Sequence, residues 1–124
     1  MITRMHHFGM MVNDLDKAIE VYEKLGFEVF KRFTKEPGMK AAMLFKDNAG
    51  IEFWEFENPS GELELMIKKH SAFVSDDLET DVKLFLDNGF TLAIPVSKGT
   101  IVERFAYVKD PVGNYIELLE PFTP

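Results

Sequence analysis

The chain carries one pattern twice. His7-Phe-Gly-Met-Met-Val-Asn-Asp-Leu15 is answered 63 residues later by His70-Ser-Ala-Phe-Val-Ser-Asp-Asp-Leu78. At the same spacing Leu25-Gly26-Phe27 is answered by Asn88-Gly89-Phe90, and at a spacing of 65 Ile51-Glu52-Phe53 is answered by Ile116-Glu117-Leu118. Each half therefore has one histidine near its start and one glutamate near its end. A half of roughly 60 residues buries too little surface to stand alone, so the two halves must build one domain. The 124 residues suit one compact domain and are too few for two independent ones.

Both halves read β-α-β-β-β. The first opens with a strand, about Met5 to Val12. A helix capped by Asn13/Asp14 follows, its apolar stripe made by Leu15, Ala18, Ile19, Tyr22 and Leu25. Gly26 stops it. Strands are predicted over Phe27–Phe33, Met39–Phe45 and Ala49–Phe56, broken at Pro37-Gly38 and turned at Lys46-Asp47-Asn48. In the second half His70–Val74 is a strand. Asp76/Asp77 cap a helix striped by Leu78, Val82, Phe85 and Leu86, and Gly89 stops it. Phe90–Val96, Ile101–Lys109 and Tyr115–Glu120 read as strands, with turns at Ser97-Lys98-Gly99 and Asp110-Pro111-Val112-Gly113. Asn58-Pro59-Ser60-Gly61 marks the boundary. Module one then covers about 1–57, a linker 58–69, and module two about 70–122; the alternation Glu62, Leu63, Glu64, Leu65 suggests extended chain in the linker. The expected fold is α+β: two pseudo-twofold-related βαβββ modules forming one curved mixed sheet.

Composition excludes several functions. A net charge of −7 argues against nucleic acid, which wants a basic footprint. No window approaches the run of about 18 apolar residues that crosses a bilayer, so no membrane role is expected. The N-terminus lacks an apolar h-region, so no signal peptide is expected and the cytoplasm is the expected location. The absence of cysteine removes disulfides, thiolate metal sites and a cysteine nucleophile.

Side chains alternate across a strand, which puts Glu52, Trp54 and Phe56 on one face and Tyr115, Glu117 and Leu119 on one face. His7, Gly9 and Met11 point one way, as do His70, Ala72 and Val74. A carboxylate among apolar neighbours costs free energy unless it is paired or metal-bound. Singly, a strand histidine is usually structural and a strand glutamate usually solvated. The signal is their recurrence as two His/Glu pairs at matching positions. Two imidazoles and two carboxylates suit a divalent Zn, Ni, Co, Mn or Fe(II) ion, and ligand type does not choose among them. His6 is the rival of His7, but the two point to opposite faces and the repeat selects His7. Asp14 and Asp77 also recur, and helix capping accounts for them.

Taken together, His7 to Tyr22, Leu25-Gly-Phe27, His70 with Asp76-Asp-Leu78, and Asp110-Pro-Val-Gly-Asn-Tyr-Ile-Glu-Leu-Leu-Glu-Pro121 carry a family likeness. The chain resembles the vicinal oxygen chelate superfamily: glyoxalase I, bleomycin-resistance proteins and extradiol dioxygenases. The resemblance covers nearly the whole chain, and the last motif is its most specific element. It implies a pair of βαβββ modules whose sheets form a cup around one metal, with ligands on the first and last strands of each module. Carried over, these ligands fall on His7, Glu52, His70 and Glu117. A homodimer is also implied.

All four ligand positions carry ligating side chains, which resembles the glyoxalase I and methylmalonyl-CoA epimerase branches. The expected function is a metal-dependent lyase or isomerase of the glyoxalase I type acting on a small-molecule substrate. The metal would stabilise an enediolate as a proton leaves the neighbouring carbon, with Glu52 or Glu117 as base. An acyl-CoA epimerase, a non-catalytic small-molecule binder and an extradiol dioxygenase are the alternatives, and Glu52 argues against the last. The residues that hold glutathione have no match here: Phe56 stands where that enzyme typically offers an asparagine. Arg104 and the group Lys31, Arg32, Lys35 and Lys40 are candidates for an anionic tail. Trp54, Phe56, Met11, Met10, Met39 and Met43 are candidates for an apolar pocket.

Overall fold

The computed structural model describes residues 1–57, 61, 66 and 70–122. The elements among them are β1 (Ile2–Met11), α1 (Leu15–Glu23), β2 (Glu28–Glu36), β3 (Met39–Lys46), β4 (Ala49–Phe56), β5 (His70–Ser75), α2 (Leu78–Asp87), β6 (Thr91–Lys98), β7 (Arg104–Lys109) and β8 (Tyr115–Glu120). The fold is α+β, with β-α-β-β-β order in each half. Contacts divide it into one unit of His7–Lys69 and one of Met1–His6 with His70–Pro124. Strand β1 thus contributes its end to the first unit and its start to the second. None of the described helices is long and apolar enough to cross a membrane. Of the expected linker, 58–60, 62–65 and 67–69 lie outside the described residues. Met66 is helical and buried, where the alternation suggests extended chain.

In the first unit the strand order is β2-β3-β4-β1. Strands β1 and β4 are parallel, with Gly9 opposite Glu52 and Met11 opposite Trp54. Helix α1 starts where Asp14 accepts the Lys17 N–H at 3.0 Å. Its Leu15 and Ile19 pack on Ala42, Leu44 and Phe53. The helix ends earlier than its apolar stripe implies. Leu25 lies beyond Glu23 and is exposed, because the chain has already turned toward Gly26, whose φ of +96° suits glycine. The other sheet face gathers Ala41 and Trp54 with Met11, Phe33, Met39 and Phe56.

In the second unit β5, β8, β7 and β6 follow one another. The start of β1 lies beside β5, where the Asp76 N–H donates to the Met1 carbonyl at 3.2 Å. This neighbour is why β1 begins at Ile2 rather than near Met5. Strands β5 and β8 are parallel, with His70 opposite Tyr115 and Ala72 opposite Glu117. Asp77 caps α2 by accepting the Thr80 N–H. Leu78 and Val82 of that helix pack on Ala106 and Leu118.

The expected strand Ile101–Lys109 begins only at Arg104. The Gly99 N–H donates to the Glu103 carbonyl at 3.0 Å and closes a loop. That loop lays Val102, 3% exposed, onto Ala72, Val74 and Leu119. A Cβ on Gly99 would stand 2.3 Å from the Val102 carbonyl oxygen. Gly99→Ala is therefore expected to lower stability by about 1–3 kcal/mol, the usual cost of overpacking. The check is a denaturant midpoint; an unchanged midpoint would show that the loop opens freely.

The turn before β8 is tied by Asp110. Its Oδ1 accepts the Asn114 N–H at 2.8 Å and the Val112 N–H at 2.9 Å, and its Oδ2 accepts from Asn114 Nδ2 at 2.9 Å. Hydrogen bonds from Asn114, aided by Val112, hold this carboxyl below the usual aspartate range. A depressed folded pKa stabilises the turn fully above the ordinary aspartate pKa. The contribution is lost as pH falls through the depressed value. In an NMR acid titration Asp110 should have a midpoint below those of unbonded aspartates.

Candidate functional site

Strand pairing brings each histidine to its glutamate. In the first unit Glu52 lies opposite Gly9, so His7 stands one pleat away on the same face. In the second, Glu117 lies opposite Ala72, and His70 again stands one pleat away. The registers are the same although the histidines are 63 apart and the glutamates 65 apart. The difference is absorbed in connections, such as the loop closed by Gly99, rather than in the parallel strands.

His7 is 1% exposed and Glu52 5%; His70 is 3% and Glu117 5%. His7 Nε2 is 3.8 Å from Glu52 Oε1, and His70 Nε2 is 3.6 Å from Glu117 Oε1. Both separations exceed an ordinary N–H···O bond of about 2.7–3.2 Å. Two ligand atoms of a tetrahedral ion with bonds of about 2.0–2.2 Å lie about 3.3–3.6 Å apart. The donor chemistry of both pairs suits metal ligation; the His70–Glu117 separation meets that spacing and the His7–Glu52 separation is slightly wider.

Each carboxylate has a second polar neighbour. The Trp54 indole N–H donates to Glu52 Oε1 at 2.6 Å. The Tyr107 hydroxyl donates to Glu117 Oε1 at 3.3 Å. Trp54 is flanked edge-on by Phe33 and Phe56, with ring centroids 5.4 and 5.9 Å away. Tyr107 lies 5.4 Å from the His70 ring and 5.9 Å from Phe105. Tyr107 escapes a reading by sequence position because it belongs to a neighbouring strand. Only the β7–β8 register sets it opposite Glu117; knowledge of the turn tied by Asp110 would have been the signal.

The other expected residues divide by face. Met11 and Phe56 are half-buried around Trp54. His6 is buried but points away from the His7 side of β1 and belongs to the second unit. Arg32 is exposed and pairs with Asp16 of α1, so it lies on the helix-bearing face and is not brought to Glu52. Lys35 is exposed where the β2 register shifts between Thr34 and Glu36. Lys40 pairs with Glu55 at 3.2 Å. Arg104 lies opposite Glu120, on the helix-bearing face of its own sheet, and is not brought to Glu117. It donates to Glu120 at 2.7 and 2.8 Å and also to Glu79. Glu120 first and Glu79 second raise its pKa and hold it charged. Of the basic group, Lys31 sits opposite Met43, which in turn sits opposite Glu52.

The chain matches the family described as the Glyoxalase/Bleomycin resistance protein/Dioxygenase superfamily over residues 4–118. It is similar to protein YwbC of Bacillus subtilis (strain 168), with 28% identity over 131 residues, 97% of this chain and 99% of that protein. Among solved structures it is similar to protein BH1468 from Bacillus halodurans C-125, at a TM-score of 0.78 and 18% identity, covering 98% of this chain and 96% of that one. It is also similar to the 2,3-dioxygenase LapB from Pseudomonas sp. KL28, at a TM-score of 0.69 and 18% identity. That match covers 97% of this chain and 43% of the dioxygenase. The two structural likenesses are likenesses of fold.

Proposed function

Because the chain belongs to the Glyoxalase/Bleomycin resistance protein/Dioxygenase superfamily, we propose that it is a divalent-metal-dependent lyase or isomerase of the glyoxalase I type. The observation that carries this reading is the pair of buried His/Glu couples at one register, His7 with Glu52 and His70 with Glu117. Each couple offers one imidazole and one carboxylate as ligands for a divalent ion. When bound, the ion supplies Lewis acidity to a substrate carbonyl and makes the adjacent C–H more acidic.

The protein's own part is proton transfer. Glu52 or Glu117 takes the proton from the carbon next to the carbonyl and returns it to the neighbouring carbon. Burial of both carboxylates on apolar sheet faces limits exchange of that proton with water. A two-histidine, one-carboxylate site of the dioxygenase kind needs three of these ligands. It leaves unexplained why Glu52 is as buried as Glu117 and paired in the same way. A second reading, a small-molecule binder, is favoured by the half-buried rings of Phe33 and Phe56 beside Trp54.

The test is elemental analysis with a turnover screen of 2-oxoaldehyde–thiol adducts and acyl-CoA epimers. A stoichiometric divalent ion is expected, with turnover abolished by chelation and restored by metal. A metal-free protein with a ligand complex that survives chelator would favour the binder.

A further inference from the structure

We infer that Trp54 and Tyr107 are positioning residues, each holding one of the two carboxylates through a single polar hydrogen. The inference rests on the metal-ligand reading above and goes beyond it. The two donors do not occupy equivalent places in the repeat. Trp54 lies two residues after Glu52 on the same strand, where the second unit has Leu119 two residues after Glu117. Tyr107 lies on the neighbouring strand opposite Glu117, where the first unit has Met43 opposite Glu52. Neither Leu119 nor Met43 carries a hydrogen-bond donor. Each half has therefore acquired its own donor at a place the other half leaves apolar, and both donors address an Oε1. Two unrelated solutions thus place a donor on the carboxylate at the same register position.

The physical role follows from what each carboxylate lacks. A glutamate on a sheet face keeps rotamer freedom about three side-chain torsions. A buried donor at Oε1, the oxygen that in each pair also lies nearest the histidine, selects one orientation of the carboxylate. Hydrogen bonds of this kind to ligating groups are worth roughly 10–100-fold in metal affinity. The indole bond at 2.6 Å is shorter than the phenol bond at 3.3 Å. Glu52 is thus held the more firmly, and the indole N–H is the more important donor.

The experiment is a Co²⁺ titration of the metal-free whole chain, followed by visible absorption. Trp54→Phe is expected to weaken Co²⁺ binding by about 10–100-fold and Tyr107→Phe by less. Phe33→Leu removes a ring neighbour of Trp54 but no polar hydrogen, and should bind Co²⁺ as the unsubstituted protein does. Unchanged affinity in both donor variants overturns the inference. Equal weakening by Phe33→Leu also overturns it, because packing alone would then be the cause.

A second readout needs no metal. Trp54 is the single tryptophan, so its emission reports the acceptor at its N–H directly. In the metal-free protein Glu52→Leu, which leaves the indole N–H no carboxylate to donate to, should shift that emission, and Glu117→Leu should not. No shift in Glu52→Leu overturns the role assigned to Trp54. If the unsubstituted protein binds no Co²⁺ at all, the metal reading itself fails, and the emission comparison still decides whether Trp54 holds Glu52.

Discussion

Glu117→Gln is expected to cut turnover by about 10²–10⁴-fold, the usual contribution of a positioned acid or base. Glutamine keeps the size of the side chain and retains an oxygen to accept the Tyr107 O–H. It loses the negative charge and the ability to carry a proton between carbons. Glu52→Gln tests the partner in the same way, with an oxygen kept for the Trp54 N–H. The larger fall in kcat identifies the base. The smaller fall, accompanied by weaker metal binding, identifies the carboxylate that serves mainly as ligand. Steady-state kinetics with metal content measured on each variant make the check. Two variants that keep both their metal and their kcat would refute the proposed chemistry.

The second large effect is on folding. Phe53 is 1% exposed and packs edge-to-face on Tyr22, with ring centroids 4.9 Å apart. It sits with Leu15, Ile19, Ala42 and Leu44 under α1. Phe53→Ala is expected to lower stability by about 3–5 kcal/mol, from lost transfer free energy plus the cavity left behind. Total stabilities of such domains are about 5–15 kcal/mol, so the variant should be close to unfolding at moderate denaturant. The measurement is a urea midpoint at unchanged slope. A shift under about 1 kcal/mol would mean that the helix collapses into the space. Phe53 adjoins Glu52, yet its side chain lies on the other face of β4. Any loss of turnover in Phe53→Ala should therefore track the fraction unfolded.

Local rules served well where the determinant is local. The caps at Asp14 and Asp77 were readable because a carboxylate two or three residues before a free N–H is a short-range arrangement. Strands Ala49–Phe56 and Tyr115–Glu120 were readable because turn residues bound them on both sides. Leu25 was misplaced because periodicity continues past the point where the backbone stops being helical. Residues 101–103 were read as strand because Ile101 and Val102 are β-formers. One hydrogen bond, Gly99 to Glu103, overrides that preference.

The candidate cations show the same limit more sharply. Arg32 and Lys31 are neighbours in sequence and equal in charge, so composition treats them alike. The register shift between Val29 and Lys31 decides which face each one serves. Arg32 then pairs with Asp16, and Lys31 takes the face of Met43 and Glu52. A one-residue slip reverses every side chain of a strand, and nothing local to those residues announces the slip. Arg104 illustrates the point in the second half: parity on β7 sends it to Glu120 and Glu79 and leaves Tyr107 to meet Glu117.

By itself, the amino-acid sequence determined the duplication, the order of elements in each half and the choice of His7, Glu52, His70 and Glu117 for attention. It could do so because repeats, side-chain periods and caps are properties of contiguous chain. Tertiary structure alone decided which donors hold the carboxylates, which cations share their face and where Val102 comes to rest. Those relations cross between strands, and strand register is fixed by pairing among residues far apart in the chain rather than by any of them separately.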